Sequence, residues 1–461
     1  MKRPPPAKPA KPTRSAPPSA APVTAEAKLA RLFSCLMGGM LAIALLKLGN
    51  PITMESRVVR PVDAVEFLLN SWPAVWGYGV LLAVGVCGLV VVRRRPDLPR
   101  ILVWLPAVWW LWQLLATLQS TDAGASSAIL MHFALCLLCF YLGLFGLGRQ
   151  AHPGEFWLPV LAGFLLVLGS GFLQHFGGLE ATRKYFFEQI YPLATDVPPE
   201  LIKRMSSTRI FATLFYPNTL AGVILLWLPI LLAVIGSWQR QFTAGARGLL
   251  MALVAAPALA CLFWSGSKGG WLLMLVTGFG AILALPFSRR AKQGMVGAVL
   301  VLGLTGFFVK YAGFFHKGAT SVVARFEYWA AAARITAAHP LLGTGPGTFG
   351  AEYKLIKPPG AEMAMITHND YFQQACDSGL PGLLLFTAFV VACLVFTWRH
   401  SGVRGDWLRR SVWLGLLAWA LHATVEFPLY IPAMAWPAFV LCGWLIAQAP
   451  PDRLDKPSAP R

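Results

Sequence analysis

Two kinds of side chain in this sequence combine into a recognisable chemistry. The first is the imidazole of His368, which opens the polar run His368-Asn369-Asp370-Tyr371-Phe372-Gln373-Gln374-Ala375-Cys376-Asp377-Ser378-Gly379-Leu380-Pro381-Gly382. An imidazole changes charge near neutral pH, and Asn369, Asp370 and Tyr371 beside it offer partners that fix its tautomer. The second is a set of cations, Arg209, Lys268 and Arg325, each close to the end of an apolar run. Arginine presents planar donors matched to phosphate oxygens. A guanidinium pair with one imidazole suits a diphosphate leaving group and a hydroxyl nucleophile. The cations neutralise charge that builds on the departing diphosphate, and the imidazole takes the proton of the attacking hydroxyl.

Each of these residues also has a purely structural reading. His368 can be a hydrogen-bonding residue at a membrane surface. Asp370 can cap the helix that starts there. Asn218 can satisfy backbone groups freed by Pro217. A cation at a helix end can snorkel to a phospholipid headgroup.

The elements that position these groups are membrane helices. The chain has 461 residues, of which 56% are hydrophobic and 13% charged, against about 25% charged in soluble proteins. With 18 Trp and 29 Phe, this composition describes an all-α, polytopic membrane protein. The formal net charge of +19 reads as cationic loops held against an inner leaflet, not as a nucleic-acid surface. Most of the eight cysteines lie in apolar runs. They form neither a disulfide framework nor a metal-ligand spacing.

Residues 1–28 are rich in Pro, Ala and Lys and are expected to be a disordered tail. The polytopic domain is expected over 29–450, with a second tail at 451–461. About twelve apolar runs are long enough to span: Leu32–Leu48, Trp72–Val92, Ile101–Leu118, Ala125–Gly148, Trp157–Phe176, Ala212–Trp238, Leu249–Trp264, Trp271–Phe287, Met295–Phe315, Leu380–Phe396, Ser411–Thr424 and Ile431–Gln448. If they alternate, the arginine-rich segments, among them Arg93-Arg94-Arg95, Arg289-Arg290 and Arg399 to Arg410, share one side, the cytoplasmic one. Arg209, Lys268 and Arg325 then lie together on the other side. Three cations converging on one outward face weigh toward an anion site.

The main outward loop, 316–379, contains an expected helix from Thr320 or Ser321 to Ala338, stopped by Pro340. Val322, Phe326, Trp329 and Ala333 share one of its faces, which suits a helix lying on the membrane. Gly345-Pro346-Gly347-Thr348-Phe349-Gly350 spells G-x-G-x-x-G, but no strand precedes it, so it reads as a turn-rich connection. Gly379-Leu380-Pro381-Gly382 reads as a break between a short surface helix and the next span.

The order of these motifs carries a resemblance. Arg209 before Pro217-Asn218-Thr219-Leu220-Ala221, then Ser265-Gly266-Ser267-Lys268-Gly269-Gly270, then Arg325 to Trp329 and Pro340-Leu341-Leu342-Gly343, then His368-Asn369-Asp370-Tyr371 and Gly379-Leu380-Pro381-Gly382 resembles the bacterial O-antigen ligase/polymerase family. The resemblance covers roughly 209–396. It implies a GT-C-like helical fold and an inner-membrane, metal-independent glycosyltransferase without cofactor, acting in lipopolysaccharide biosynthesis. Its implied partners are an undecaprenyl-diphosphate-linked glycan donor and a lipid A–core or other glycan acceptor, met at the periplasmic face. It assigns diphosphate binding to Arg209 and Arg325, the catalytic base to His368, and an acidic position to Glu426. Many members carry Ser-Arg-Gly where this chain has Ser267-Lys268-Gly269; lysine keeps the charge but loses the bidentate fork. The alternatives are a polymerase of lipid-linked repeat units, a protein O-oligosaccharyltransferase, and a small-anion (bicarbonate) transporter. A transporter gathers its polar groups near the bilayer midplane, whereas here they gather at the outer rim.

Overall fold

The architecture comes from a computed structural model that describes residues 24–92, 98–149, 154–193, 202, 206–284, 287–316 and 320–450. The basic segments Arg93-Arg94-Arg95, Lys203-Arg204 and most of both expected tails lie outside the described residues. The described residues form helices and turns, without strands. In chain order the helices are α1 (Ala25–Lys47), α2 (Ala64–Leu69), α3 (Ala74–Leu89), α4 (Arg100–Leu118), α5 (Ala123–Tyr141), α6 (Gly154–Leu173), α7 (Leu179–Tyr185) and α8 (Pro217–Ser237). They continue as α9 (Ala244–Ser265), α10 (Lys268–Ala284), α11 (Arg289–His316), α12 (Thr320–Ala338), α13 (Phe349–Ile356), α14 (Asp370–His400), α15 (Trp407–His422) and α16 (Pro432–Ile446).

Each of the expected apolar runs falls on a helix. Among the described residues, eight helices are long and apolar enough to cross a membrane, and three more apolar helices are shorter, Ala74–Leu89, Lys268–Leu283 and Pro432–Ile446. The chain is a multi-pass membrane protein. Two boundaries move. α1 starts at Ala25, inside the expected tail, because Thr24 caps it by accepting from Ala27 N at 3.3 Å. α8 starts at Pro217 instead of Ala212, since Pro217 at the first helical position needs no N–H partner.

Two helices lack a solvent or lipid face. α16 is buried along its whole length and α8 almost so, which is the pattern of a central helix apolar all round. Small residues bring the centre close. Gly143, in the π-helical turn after α5, lies against the backbone of Val440, and Gly443 lies against that of Phe140. A Cβ on either would run into a carbonyl oxygen, so this crossing uses close approach of small residues for its packing.

The connections expected on one side meet physically at one end of the bundle. Phe215 N donates to Gly49 O, Thr121 N to Thr344 O, and Ala433 N to Leu48 O. Arg209 Nε donates to Ser265 O, and Arg325 Nε to Val425 O. Hydrogen bonds therefore join several connections that alternation assigns to the outward side, 119–122 with 316–379, 177–211 with 265–270, and 316–379 with 426–430.

The segment before the break at Gly379 is a correction to the expected surface helix. Asp370, Gln373, Gln374, Cys376 and Asp377 are all buried. Most of their polar groups are matched within the bundle: Asp377 accepts from Tyr430 OH, Gly347 N and Gln373 Nε2, each at 2.9 Å. Gln374 joins Trp109 Nε1 at 2.8 Å and Gln113 Nε2 at 3.0 Å to Tyr430. The break itself is real: Gly379 has φ +72°, and a Cβ there would strike Leu341 O. The G-x-G-x-x-G loop is the fastening for this segment, with Thr344 N and Gly345 N donating to Cys376 O and Asp377 O. α12 packs Tyr328, Ala331, Ala332 and Ile335 on that core. Val322, Phe326 and Ala333, on the face expected to meet the membrane, stay exposed.

Topology is testable by labelling. A single cysteine at the exposed Glu362 should react with an impermeant maleimide in intact spheroplasts of an expressing bacterium. Cysteines at Arg290 or Arg404, also exposed, should react only after lysis. Equal labelling of all three in intact cells contradicts the alternating arrangement.

Candidate active site

The site is built on a hairpin. α15 ends at His422, Glu426 N turns back to His422 O at 2.9 Å, and Pro428 and Pro432 stop any helix from continuing through. The turn leaves Glu426 6% exposed. A buried carboxylate requires partners, and four other segments supply them. Arg325, from α12, donates to Oε1 through Nη2. Asn218, from the first turn of α8, donates to the same oxygen at 2.5 Å. His368 meets Oε2 through Nδ1 at 3.1 Å. Arg209 joins indirectly, donating from Nη2 to Asn218 Oδ1 at 2.8 Å.

The two guanidiniums are also held by backbone. Arg209 Nε donates to Ser265 O at 2.7 Å, where Gly266 in the left-handed region (φ +62°) ends α9 and lets the arginine lie close; a Cβ would come 3.1 Å from Nε. Arg325 donates to Val425 O and Ser321 O, both at 3.1 Å. A guanidinium carries five N–H donors. These contacts engage two of Arg209's and three of Arg325's, so both retain donors for an anion.

Electrostatics keeps the centre charged. Burial by itself would raise the Glu426 carboxyl. The Arg325 guanidinium and then the His368 imidazole outweigh it and hold the group at about 2. Burial lowers Arg209 from its ordinary range, opposed by the Glu426 charge, and an arginine stays protonated regardless. An ionised Glu426 at Nδ1 favours a proton on that nitrogen, which in the neutral tautomer places the lone pair on Nε2.

His368 adopts φ +54°, a left-handed conformation that costs a non-glycine residue about 1–2 kcal/mol. Its neighbours hold it there. Thr367 Oγ1 bridges to Asn369 O at 2.7 Å, and the Asn369 side chain caps α14 by accepting from Tyr371 N at 2.9 Å and Phe372 N at 3.1 Å. Asn369 Nδ2 reaches Thr424 O at 2.9 Å, joining the cap to the Glu426 hairpin. The imidazole is flanked by Tyr328, at 6.0 Å between ring centres, and Phe427, at 4.9 Å.

The structure thus brings His368, Arg209, Arg325, Asn218 and Glu426 into one network, with Asn369 as its support. Other expectations change. Asn218 connects a cation to the carboxylate; it does not repair the backbone at Pro217. Asn369 is the helix cap that Asp370 was expected to provide. Asp370 is buried and accepts from Leu429 N at 2.9 Å, while its own N–H donates to Ala423 O at 2.8 Å. It pins the hairpin instead of touching His368. Tyr371 OH donates to Ala420 O at 3.1 Å, also away from the imidazole. Lys268 opens α10 with its ammonium 5.2 Å from the Tyr311 ring centre. Lys310 was missed; it donates to Phe263 O and sits over that residue's ring. Its signal was present in the sequence: it is the sole charged residue of the run Met295–Phe315. Among the described residues, no three His, Cys, Asp or Glu side chains gather as a metal site requires.

The fold and the site define a class, a multi-pass membrane protein whose helical bundle carries an arginine–carboxylate–imidazole network at one end. Comparison adds a family match over part of the chain. Residues 253–387 match the O-antigen ligase family model. The match supports a glycan-transferring membrane protein of the ligase or polymerase kind. It contains Lys268, Arg325 and His368 but stops short of Arg209, Asn218 and Glu426. No curated protein matches the chain.

Glu426→Gln keeps the shape and removes the charge, leaving Arg325, with a side chain 19% exposed, without its counter-ion. The expected cost is about 3 kcal/mol or more, read as a lowered melting temperature of the purified protein in detergent. The double change Glu426→Leu with Arg325→Met should recover most of it. The carboxyl sits at about 2, below its ordinary 4.5. Its stabilisation is therefore full above about pH 4.5 and lost as pH falls through about 2. An unchanged melting temperature in Glu426→Gln contradicts the central place given to this carboxylate.

Proposed function

We propose that the protein transfers a glycan from undecaprenyl diphosphate to an acceptor hydroxyl, most simply on lipid A–core, at the periplasmic face of the inner membrane. The observation that carries this reading is the placement of one imidazole and two guanidiniums around Glu426. In the reaction the acceptor oxygen bonds to the anomeric carbon as the bond from that carbon to the diphosphate oxygen breaks. The lipid diphosphate leaves with the electron pair, and the acceptor's proton passes to His368 Nε2. Glu426 stabilises the imidazolium through Nδ1–H, in the way a buried carboxylate orients a catalytic histidine elsewhere. Arg209 and Arg325 lower the barrier by meeting charge as it develops on the leaving group. The network is preorganised, so little reorientation accompanies the step.

Purified protein with a lipid-linked glycan and acceptor tests the roles. His368→Ala should lose about a hundredfold or more in turnover, with donor binding retained. Arg209→Ala and Arg325→Ala should each lose tenfold or more, about 1.4 kcal/mol at least. Lys268→Ala should lose less. Near-normal turnover in His368→Ala makes His368 structural and overturns the base assignment.

Ligase and polymerase share donor and nucleophile, so the acceptor decides between them. In a strain lacking the gene, a ligase leaves long polymer on undecaprenyl diphosphate and bare core on lipid A, and this is the expected result. Core capped by a single repeat unit identifies a polymerase instead.

A further inference from the structure

Arg209 does more than join Asn218. It also lines a cavity of about 440 Å³ between the end of α6, α7, the Thr208–Arg209 segment, the end of α9 and Lys310 of α11, within the size range of small-molecule sites. Two features make this cavity chemically distinctive. Its charged lining consists of Arg183, Arg209 and Lys310 against the single carboxylate of Glu180. Glu180 engages Arg183 Nη1 at 2.8 Å, but Arg183 Nε is buried without a hydrogen-bond partner among the described residues. A buried donor left unmet is costly, and Arg183 is among the residues that line the cavity. Lys310 spends one of its three donors on Phe263 O. The lining therefore carries an excess of positive charge and unspent donors.

The second feature is an aromatic wall. His175 and Trp264 both line the cavity and stack face to face at 3.8 Å and 9°. Phe172 and Phe176 brace Trp264 edge-on at 4.9 and 5.6 Å. Gln174 does not compete for a ligand, since its amide is spent on Phe211 N, Ala212 N and Ala212 O, holding the turn that presents Arg209. A flat aromatic face packs against the C–H face of a pyranose ring, while cations beside it take a phosphoryl group.

We propose that this cavity is a subsite for a phosphorylated sugar, with the phosphoryl group on Arg183, Arg209 and Lys310 and the ring against the His175–Trp264 stack. The proposal rests on the glycan-transfer reading for its biological ligand. Two sources share the chemistry: the first sugar of the diphosphate-linked donor, or a phosphorylated sugar of the acceptor. In either case Arg209 couples the subsite to Glu426 through Asn218, so occupancy is felt at the catalytic network.

The test uses the full-length protein in detergent with three probes, glucose 1-phosphate, inorganic phosphate and glucose, followed by isothermal titration calorimetry. Glucose 1-phosphate should bind at least tenfold more tightly than either of the others. Lys310→Met and Arg183→Gln should each weaken both phosphate-containing probes about tenfold, the loss expected for one charge-assisted contact. His175→Ala, at an exposed position, should weaken glucose 1-phosphate and leave inorganic phosphate unchanged. Equal binding of glucose 1-phosphate and inorganic phosphate, or unaltered binding in Lys310→Met, overturns the proposal. In transfer assays, Lys310→Met should raise KM for the donor if the donor's sugar occupies the cavity, or for the acceptor if the acceptor's does; movement in neither also overturns it. Because binding is read without turnover, failure of the transferase assay overturns the function proposed above while leaving the subsite itself intact.

Discussion

The buried carboxylate of Glu426 is the interaction on which the rest of the site depends. A negative charge out of water is tolerated only with opposite charge and hydrogen bonds close by. Arg325, Asn218 and His368 meet that requirement directly and Arg209 meets it through Asn218. These residues come from separate parts of the chain: the turn before α8, α8 itself, α12 and the segment before α14. One carboxylate thereby fixes the relative positions of several otherwise independent helix ends. It also holds the two cations and the imidazole in one hydrogen-bonded network.

A second constraint explains why His368 can be held in a left-handed conformation. The polar residues after it do not lie on a surface; Asp370, Gln373, Gln374 and Asp377 are buried and bonded within the bundle. Asn369 caps its own helix and bonds to Thr424. Asp370 grips Leu429. Asp377 ties the glycine loop at Gly347 and the hydroxyl of Tyr430 to one point. In a low-dielectric setting, polar networks of this kind are rigid when satisfied. The strain at His368 is stored against that rigidity, and the ring is presented with Nδ1 toward Glu426. The glycine motif that spells a nucleotide fingerprint serves the same end, as backbone closely fitted to α14.

The structure also separates chemistry from anchoring within one polar run. His368 and Asn369 face the hairpin and belong to the site, whereas Asp370, Gln373, Gln374 and Asp377 fasten the run to the bundle. Arg209 sits where the Glu426 network and the aromatic-walled cavity adjoin.

Hydropathy determined the helical class and the places of the long apolar helices, because an apolar run long enough to span a membrane is a local property of sequence. The break at Gly379, the end of α12 before Pro340 and the roles of His368, Arg209 and Arg325 as candidates were legible for similar reasons: residue type alone limits what each can do. Partnership was not legible. Asn218 and Glu426 are separated by 208 positions and meet at 2.5 Å, and no local pattern encodes such a pair. Whether Asn369 or Asp370 caps α14 turned on which side chain the hairpin needed elsewhere, a choice made by burial. Lys310 looked like one charge in an apolar helix until α9 was placed beside it. The sequence by itself determined which groups must avoid lipid, and only the tertiary structure decided which of them satisfy one another, because charge and hydrogen-bond balance in a buried site is struck between segments distant in the chain.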